Sequence, residues 1–126
     1  MKHETQQLLA RAAECIDHAE RSLAMDMDLV AVNRAYYAVF DAARAMLFER
    51  GYPLPKTHSG TQSRFSEIFV KTGEAPIEMS SAFVQLFNLR QMGDYDFSAQ
   101  LDEHDAEKAV ELARQFLVLA SGFFGV

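Results

Sequence analysis

Apolar residues recur every three or four positions through most of this chain, and that spacing limits its fold more than any other feature. Leu8, Ala12, Ile16, Ala19 and Leu23 form one such stripe, and Leu29, Val32, Tyr36, Phe40, Ala43 and Leu47 a second. Met79, Phe83, Leu86 and Phe87 form a third, and Ala109, Ala113, Phe116, Leu117, Ala120 and Phe124 a fourth. A period near 3.6 residues gathers such positions on one side of a helix, whereas a half-buried strand alternates every second residue. Long helices that are each apolar on one side must bury those sides against one another. Only 6 Gly and 3 Pro break the 126 residues, which disfavours a many-turned β architecture.

The breaks set the element boundaries. A first helix is expected from about Glu4 to Met25, with Asp26 or Asp28 placed to cap the next. The second runs from about Leu29 to Arg50. Tyr37, Val39, Met46 and Phe48 widen its apolar face, which marks it as the central helix. Gly51 stops it, and Pro53 and Pro55 forbid immediate resumption. A third helix starts near Thr57 or Ser59 and ends near Lys71, with Phe65, Ile68 and Phe69 on its apolar face. The fourth spans about Pro76 to Met92, where Gly93 weakens it, and Asp94 to Gln100 reads as a loop or a ragged continuation. Asp102 or Asp105 caps the fifth, which runs to about Phe123. Short connections favour antiparallel neighbours. The expected fold is all-α: a single domain over residues 1–126, an antiparallel up-down bundle of about five helices with the short third helix packed across one side.

Charge and composition narrow the function. The formal net charge is −6, whereas a domain that binds nucleic acid unaided usually carries a basic total or patch. Binding RNA would need a local basic surface, made on this chain or completed by a partner. Cys15 is the only cysteine, so no intrachain disulfide can form, and it reads as a small buried side chain. The start MKHETQQLLARAAE has no apolar run of signal-peptide length, and nowhere do 18 consecutive apolar residues occur. A cytoplasmic location away from membranes is expected. His3, His18, His58 and His104 are scattered, and neither a His-Glu-x-x-His run nor a glycine-rich phosphate loop occurs, so no metal site and no cofactor is expected.

Several residues stand out by position. Arg90 lies four after Leu86, three after Phe87 and seven after Phe83, so it points along the apolar stripe of the fourth helix. A charge there must snorkel, pair, or line a cleft or interface. One reading is an ion pair with Asp94 at i+4, and the other is a guanidinium that faces a phosphate or ribose. Arg34 sits beside Tyr36 and Tyr37, and the favoured reading is a tertiary ion pair with Asp41 or Glu49 at the edge of the core. Lys56, His58, Arg64 and Lys71, against Glu67 alone, make the one locally basic stretch. It is either a solvated surface or a contact for RNA or an acidic partner. His58-Ser59-Gly60 has no local acid to complete a triad and reads as a helix start. Tyr36, Tyr37 and Phe40 could line a substrate pocket, but core packing explains them at least as well.

The run Asn33-Arg34-Ala35-Tyr36-Tyr37-Ala38-Val39-Phe40-Asp41-Ala42-Ala43-Arg44-Ala45 resembles the central helix of HEPN-domain proteins, most closely the small stand-alone branch labelled UPF0332. Lys56-Thr57-His58-Ser59-Gly60, Phe69-Val70-Lys71-Thr72-Gly73, and Leu89-Arg90 through Asp94-Tyr95-Asp96 continue the pattern in order, over roughly residues 5 to 122. The resemblance implies a helical bundle that commonly forms homodimers. It also implies membership of a toxin–antitoxin-type pair with a minimal nucleotidyltransferase partner. Active members of the family are metal-independent endoribonucleases with an Arg-x4–6-His motif assembled across a dimer. There the Arg holds phosphate and the His serves as acid or base.

Arg90 matches the motif arginine, but no His follows within the window: Tyr95 stands at the first position the spacing allows, and the next histidine is His104. In nucleotidyltransferase-linked toxins a modifiable Tyr follows two after that His, and the corresponding residue here is Phe97. Tyr95 offers a hydroxyl but, with an ordinary pKa near 10, is a poor base at neutral pH. Arg11 and His18 fit the motif's spacing but lie on the first helix, away from its place. The expected function is therefore a dimeric module that binds a nucleotidyltransferase partner, or RNA or a nucleotide, with a degenerate ribonuclease motif. The alternative is an active endoribonuclease toxin in which Arg90 works with Asp94, Tyr95 or a partner's residue.

Overall fold

The computed structural model describes residues 1–95 and 101–125, except for the side chain of Tyr95. Five α-helices follow in order: α1 (His3–Ala24), α2 (Asp28–Glu49), α3 (His58–Phe65), α4 (Ile77–Tyr95) and α5 (Glu103–Phe124). A π-helical turn, Ser66–Val70, continues α3. There is no strand among the described residues, so the chain is an all-α helical bundle.

Contacts give the directions. Lys2 Nζ donates to the Phe48 carbonyl and the Lys2 amide to Glu49, so α1 starts where α2 ends. Tyr36 of α2 meets both Phe83 and Phe87 of α4, while Leu29 lies against Gly93, so α4 runs back along α2. Phe83 meets Phe116, and Pro76 shares a cleft with Leu119, so α5 turns back again. α2 packs against α1, α3, α4 and α5, and 12 of its 22 residues are buried, which makes it the central helix. Ala12 and Ala19 of α1 and Ala31, Ala35 and Ala42 of α2 are almost fully buried, and small side chains let these two helices approach closely. On the other side Phe65, Phe83 and Phe116, none more than 1% exposed, stand 5.4–6.2 Å apart and fill the space under α3.

Four local expectations change. Neither Asp26 nor Asp28 caps α2: Met27 holds that position, Asp26 adopts the left-handed conformation (φ 58°), and Asp28 is already helical. Leu29 is half exposed rather than part of the buried stripe, because it lies at the open end of α2. The third helix is not uniform to Lys71. A Lys71 amide to Ser66 carbonyl bond of 2.8 Å closes a wider turn, with Phe65 and Phe69 still buried and 5.4 Å apart. Gly93 does not end α4, which continues to Tyr95. A Cβ there would come within 2.5 Å of Leu29 Cδ1 and 2.9 Å of Leu101 Cδ1, so the glycine serves a close approach rather than a break. Of the segment expected as a loop or a ragged continuation, Asp94 and Tyr95 continue α4, and residues 96–100 lie outside the described residues. Asp102 caps α5 by accepting from the Asp105 amide, and Asp105 returns the bond, so both candidate caps are used.

Candidate functional site

Tyr36, Tyr37 and Phe40 fall within about one turn of α2 and form a cluster of rings. Tyr36 stands edge-on to Tyr37 at 5.2 Å and stacks with Phe40 at 5.9 Å. Across the antiparallel helix pair, α4 brings Arg90 over both tyrosines, its guanidinium 5.3 Å from each ring centre. The Arg90 side chain is only 13% exposed, so its charge lies on the aromatic faces rather than in open water. Its Nε lies 3.2 Å from Asp94 Oδ2, the expected i,i+4 pair, but without hydrogen-bond geometry.

The start of α3 supplies the next group. Thr57 caps that helix by accepting from the Gly60 amide at 2.9 Å, which fixes the orientation of His58, its first residue. The His58 ring packs 4.6 Å from Phe40, 5.6 Å from Tyr36 and 5.9 Å from Tyr37. The Tyr36 hydroxyl and His58 Nδ1 are hydrogen-bonded at 2.7 Å. Burial, then the positive charges of Arg90 and Arg44, hold the His58 pKa below the ordinary histidine value, so its ring is neutral at pH 7. Burial lifts the Tyr36 hydroxyl well above free tyrosine, with Arg90 pulling the other way, so it remains protonated.

Two more cations complete the rim. Arg34 lies 5.2 Å over Tyr37, and Arg44 lies 5.2 Å over Phe40. Arg34 does not form the expected ion pair with Asp41 or Glu49. It instead donates to Asn33 Oδ1 at 2.7 and 3.0 Å, because the fork turns along its own helix onto the tyrosine. Asp41 takes Arg44 and Arg11 as partners, at 3.5 and 3.6 Å. The Asp41 side chain is 1% exposed and neither oxygen has a hydrogen bond among the described residues, so burial raises its pKa, partly offset by Arg11 and Arg44. Beside Tyr37, a cleft of about 240 Å³ is lined by Arg11, His18, Arg34 and Asp41 among others, which brings together the arginine and histidine of the displaced motif spacing.

The locally basic stretch does not act as a unit. His58 turns inward to the tyrosines, Arg64 pairs with Glu67 at 3.2 Å and covers the Tyr52 ring, and Lys56 and Lys71 are exposed. The structure thus joins Arg90, Asp94, Arg34 and His58 around Tyr36, Tyr37 and Phe40 and leaves Lys56, Arg64 and Lys71 outside that cluster. The Tyr95 side chain and Phe97 lie outside the described residues. Sequence reasoning grouped His58 with the basic stretch Lys56 to Lys71 rather than with Arg90, and missed Arg44. Nothing local marks either one: the Tyr36–His58 bond spans 22 residues. Among the described residues no three His, Cys, Asp or Glu side chains converge as metal ligands, and no helix is long and apolar enough to cross a membrane.

Known proteins share this pattern. The HEPN domain family model matches residues 5–122. A UPF0332 protein of Thermotoga maritima is 36% identical over 85% of this chain and 80% of its own length. A UPF0332 protein of Gloeobacter violaceus is 32% identical over 98% of both. A Methanocaldococcus jannaschii protein named "Putative toxin MJ0142" is 29% identical over 92% of this chain and 78% of its own. The matched region takes in α2, α3 and α4 whole, most of α1 and α5, and every residue of the aromatic–cation cluster, and the chain belongs to the HEPN domain family.

Proposed function

We propose that this chain is the HEPN half of a toxin–antitoxin-type pair, a homodimeric module that works with a minimal nucleotidyltransferase and binds RNA on the surface around Arg90. One observation carries the RNA reading: in a chain of net charge −6, Arg34, Arg44, Arg90 and His58 all gather on three neighbouring rings. Guanidinium groups meet phosphate oxygens in a two-pronged geometry, and the partly exposed Tyr37 and Phe40 rings, unlike the buried Tyr36, offer faces on which unpaired bases stack, so this combination suits single-stranded RNA. The toxin names of the Methanocaldococcus jannaschii relatives support the same assignment.

An anisotropy titration with a fluorescein-labelled single-stranded RNA tests it. Arg90→Gln should weaken binding by about 10- to 100-fold, the loss of one charged hydrogen-bonding contact. Lys71→Gln, outside the cluster, should change it little. Equal affinities for wild type and Arg90→Gln would refute the surface. Gel filtration checks the dimer, and co-purification with the product of an adjoining nucleotidyltransferase frame checks the partner.

A second reading, a metal-independent endoribonuclease, is favoured by one further observation: a histidine shares the Arg90 surface, although none follows Arg90 in the motif window.

A further inference from the structure

His58 comes from α3, not from the segment after Arg90, yet both side chains rest on the same two tyrosine rings: Arg90 at 5.3 Å from each, His58 at 5.6 and 5.9 Å. We propose that His58 is the proton-transfer residue of this surface and Tyr36 its positioning residue, so that one chain carries both the phosphate-holding cation and the acid–base group. The proposal rests on the reading that the surface binds RNA.

Three features of the geometry support the role. First, His58 is held rather than loose: its ring packs against Tyr36, Tyr37 and Phe40, and its backbone is fixed at the capped start of α3. Second, its Nδ1 is engaged by Tyr36 at 2.7 Å, while Nε2 has no hydrogen-bond partner among the described residues. In the tautomer that leaves Nε2 bare, Nδ1 carries the ring proton and donates it to the Tyr36 hydroxyl. The same bond holds in the imidazolium, so Nε2 takes up and gives back a proton while the ring stays in place. Third, the Tyr36 hydroxyl cannot serve as the base itself, since Tyr36 is fully buried and its hydroxyl keeps its proton.

The step balances without a co-reactant. The 2′-hydroxyl of a ribonucleotide whose phosphate lies on Arg90 gives its proton to His58 Nε2, and its oxygen bonds to phosphorus. The P–O5′ bond breaks with its electron pair on O5′, which takes a proton from water. The imidazolium proton neutralises the hydroxide left behind. The products are a 2′,3′-cyclic phosphate and a free 5′-hydroxyl. The groups facing His58 are Tyr36, Tyr37, Phe40 and Arg44 from α2 and Arg90 from α4, the last neutralised in part by Asp94. The rate should therefore rise with pH through a midpoint below the ordinary histidine value.

The test uses the full chain, a labelled single-stranded RNA of mixed sequence and EDTA in the buffer, with cleavage and RNA binding measured on the same samples. Wild type should leave cyclic phosphate ends. His58→Gln should lose at least about 100-fold in rate, the usual worth of a general acid–base group, while still binding RNA. Tyr36→Phe should keep part of the rate and move the pH midpoint, which a merely structural role would not do. Absence of cleavage by wild type, or a His58→Gln variant as fast as wild type, overturns the proposal. RNA binding retained in either case leaves the binding function standing, whereas no RNA binding at all removes both. The wild-type pH profile decides the matter even if His58→Gln fails to fold.

Discussion

Removing the Tyr36 hydroxyl and the His58 ring, separately and together, should cost less in combination than the two single losses add up to. Tyr36→Phe deletes the one hydrogen bond that hydroxyl makes among the described residues, at 2.7 Å to His58 Nδ1, and keeps the ring that packs against Phe83 and Phe87. The expected loss is about 1 kcal/mol, the net worth of a typical hydrogen bond. His58→Ala costs more, because it strands the hydroxyl of a tyrosine that is 0% exposed. An orphaned buried hydroxyl costs about 1–3 kcal/mol, the lower end applying if water enters the vacated space. The lost ring contact with Phe40, at 4.6 Å, adds about 0.5–1.5 kcal/mol. The double variant has no orphan, so it should be about 1–2 kcal/mol more stable than the summed single losses predict. Urea unfolding followed by far-UV circular dichroism on all four proteins closes the cycle. Additivity within about 0.5 kcal/mol would mean that the two side chains do not depend on each other, and the site as described would be wrong.

Phe116→Ala should cost about 3–5 kcal/mol in the same assay, since Phe116 is 1% exposed between Phe65 and Phe83 and its loss opens a cavity. Asp102→Ala should cost about 1 kcal/mol, because it removes the 2.9 Å cap on the Asp105 amide and the reciprocal bond with it. Asp41→Asn should raise the thermal midpoint at neutral pH. Burial raises the folded pKa of Asp41, so the stability of its protonated form is whole below the unfolded pKa and is lost as pH rises through the folded one. The uncharged amide avoids that loss, and the advantage should fade as pH drops towards about 4, the ordinary aspartate value. An advantage that grew in acid would reverse the sign of this reasoning.

The architecture was legible because it depends on periodicity. The Tyr36–Phe40 and Phe83–Phe87 stripes and the Gly51, Pro53 and Pro55 breaks each act through neighbours a few residues away. Arg90 was legible for the same reason: a charge on an apolar stripe must find a partner, and it finds two rings and Asp94. What local spacing could not supply was contact between distant segments. His58 looked like one of four basic residues on a surface stretch, and only the path of the chain through Pro53 and Pro55 turns it inward to Tyr36. Arg34 was misassigned because two partners compete for its fork. The neighbouring Asn33 and the Tyr37 face win over a buried carboxylate already met by Arg11 and Arg44. Gly93 reads as a breaker when only its own helix is considered, and as a spacer once Leu29 and Leu101 are seen against it.

The claim that Arg90 and His58 share one surface is tested most directly by an NMR pH titration of the His58 ring nitrogens in wild type and Arg90→Gln. Because the Arg90 charge helps to lower the His58 pKa, the wild-type midpoint should fall below the ordinary histidine value and move up towards it in the variant. A midpoint at the ordinary value in wild type, unmoved by Arg90→Gln, would place the two side chains apart and contradict the account.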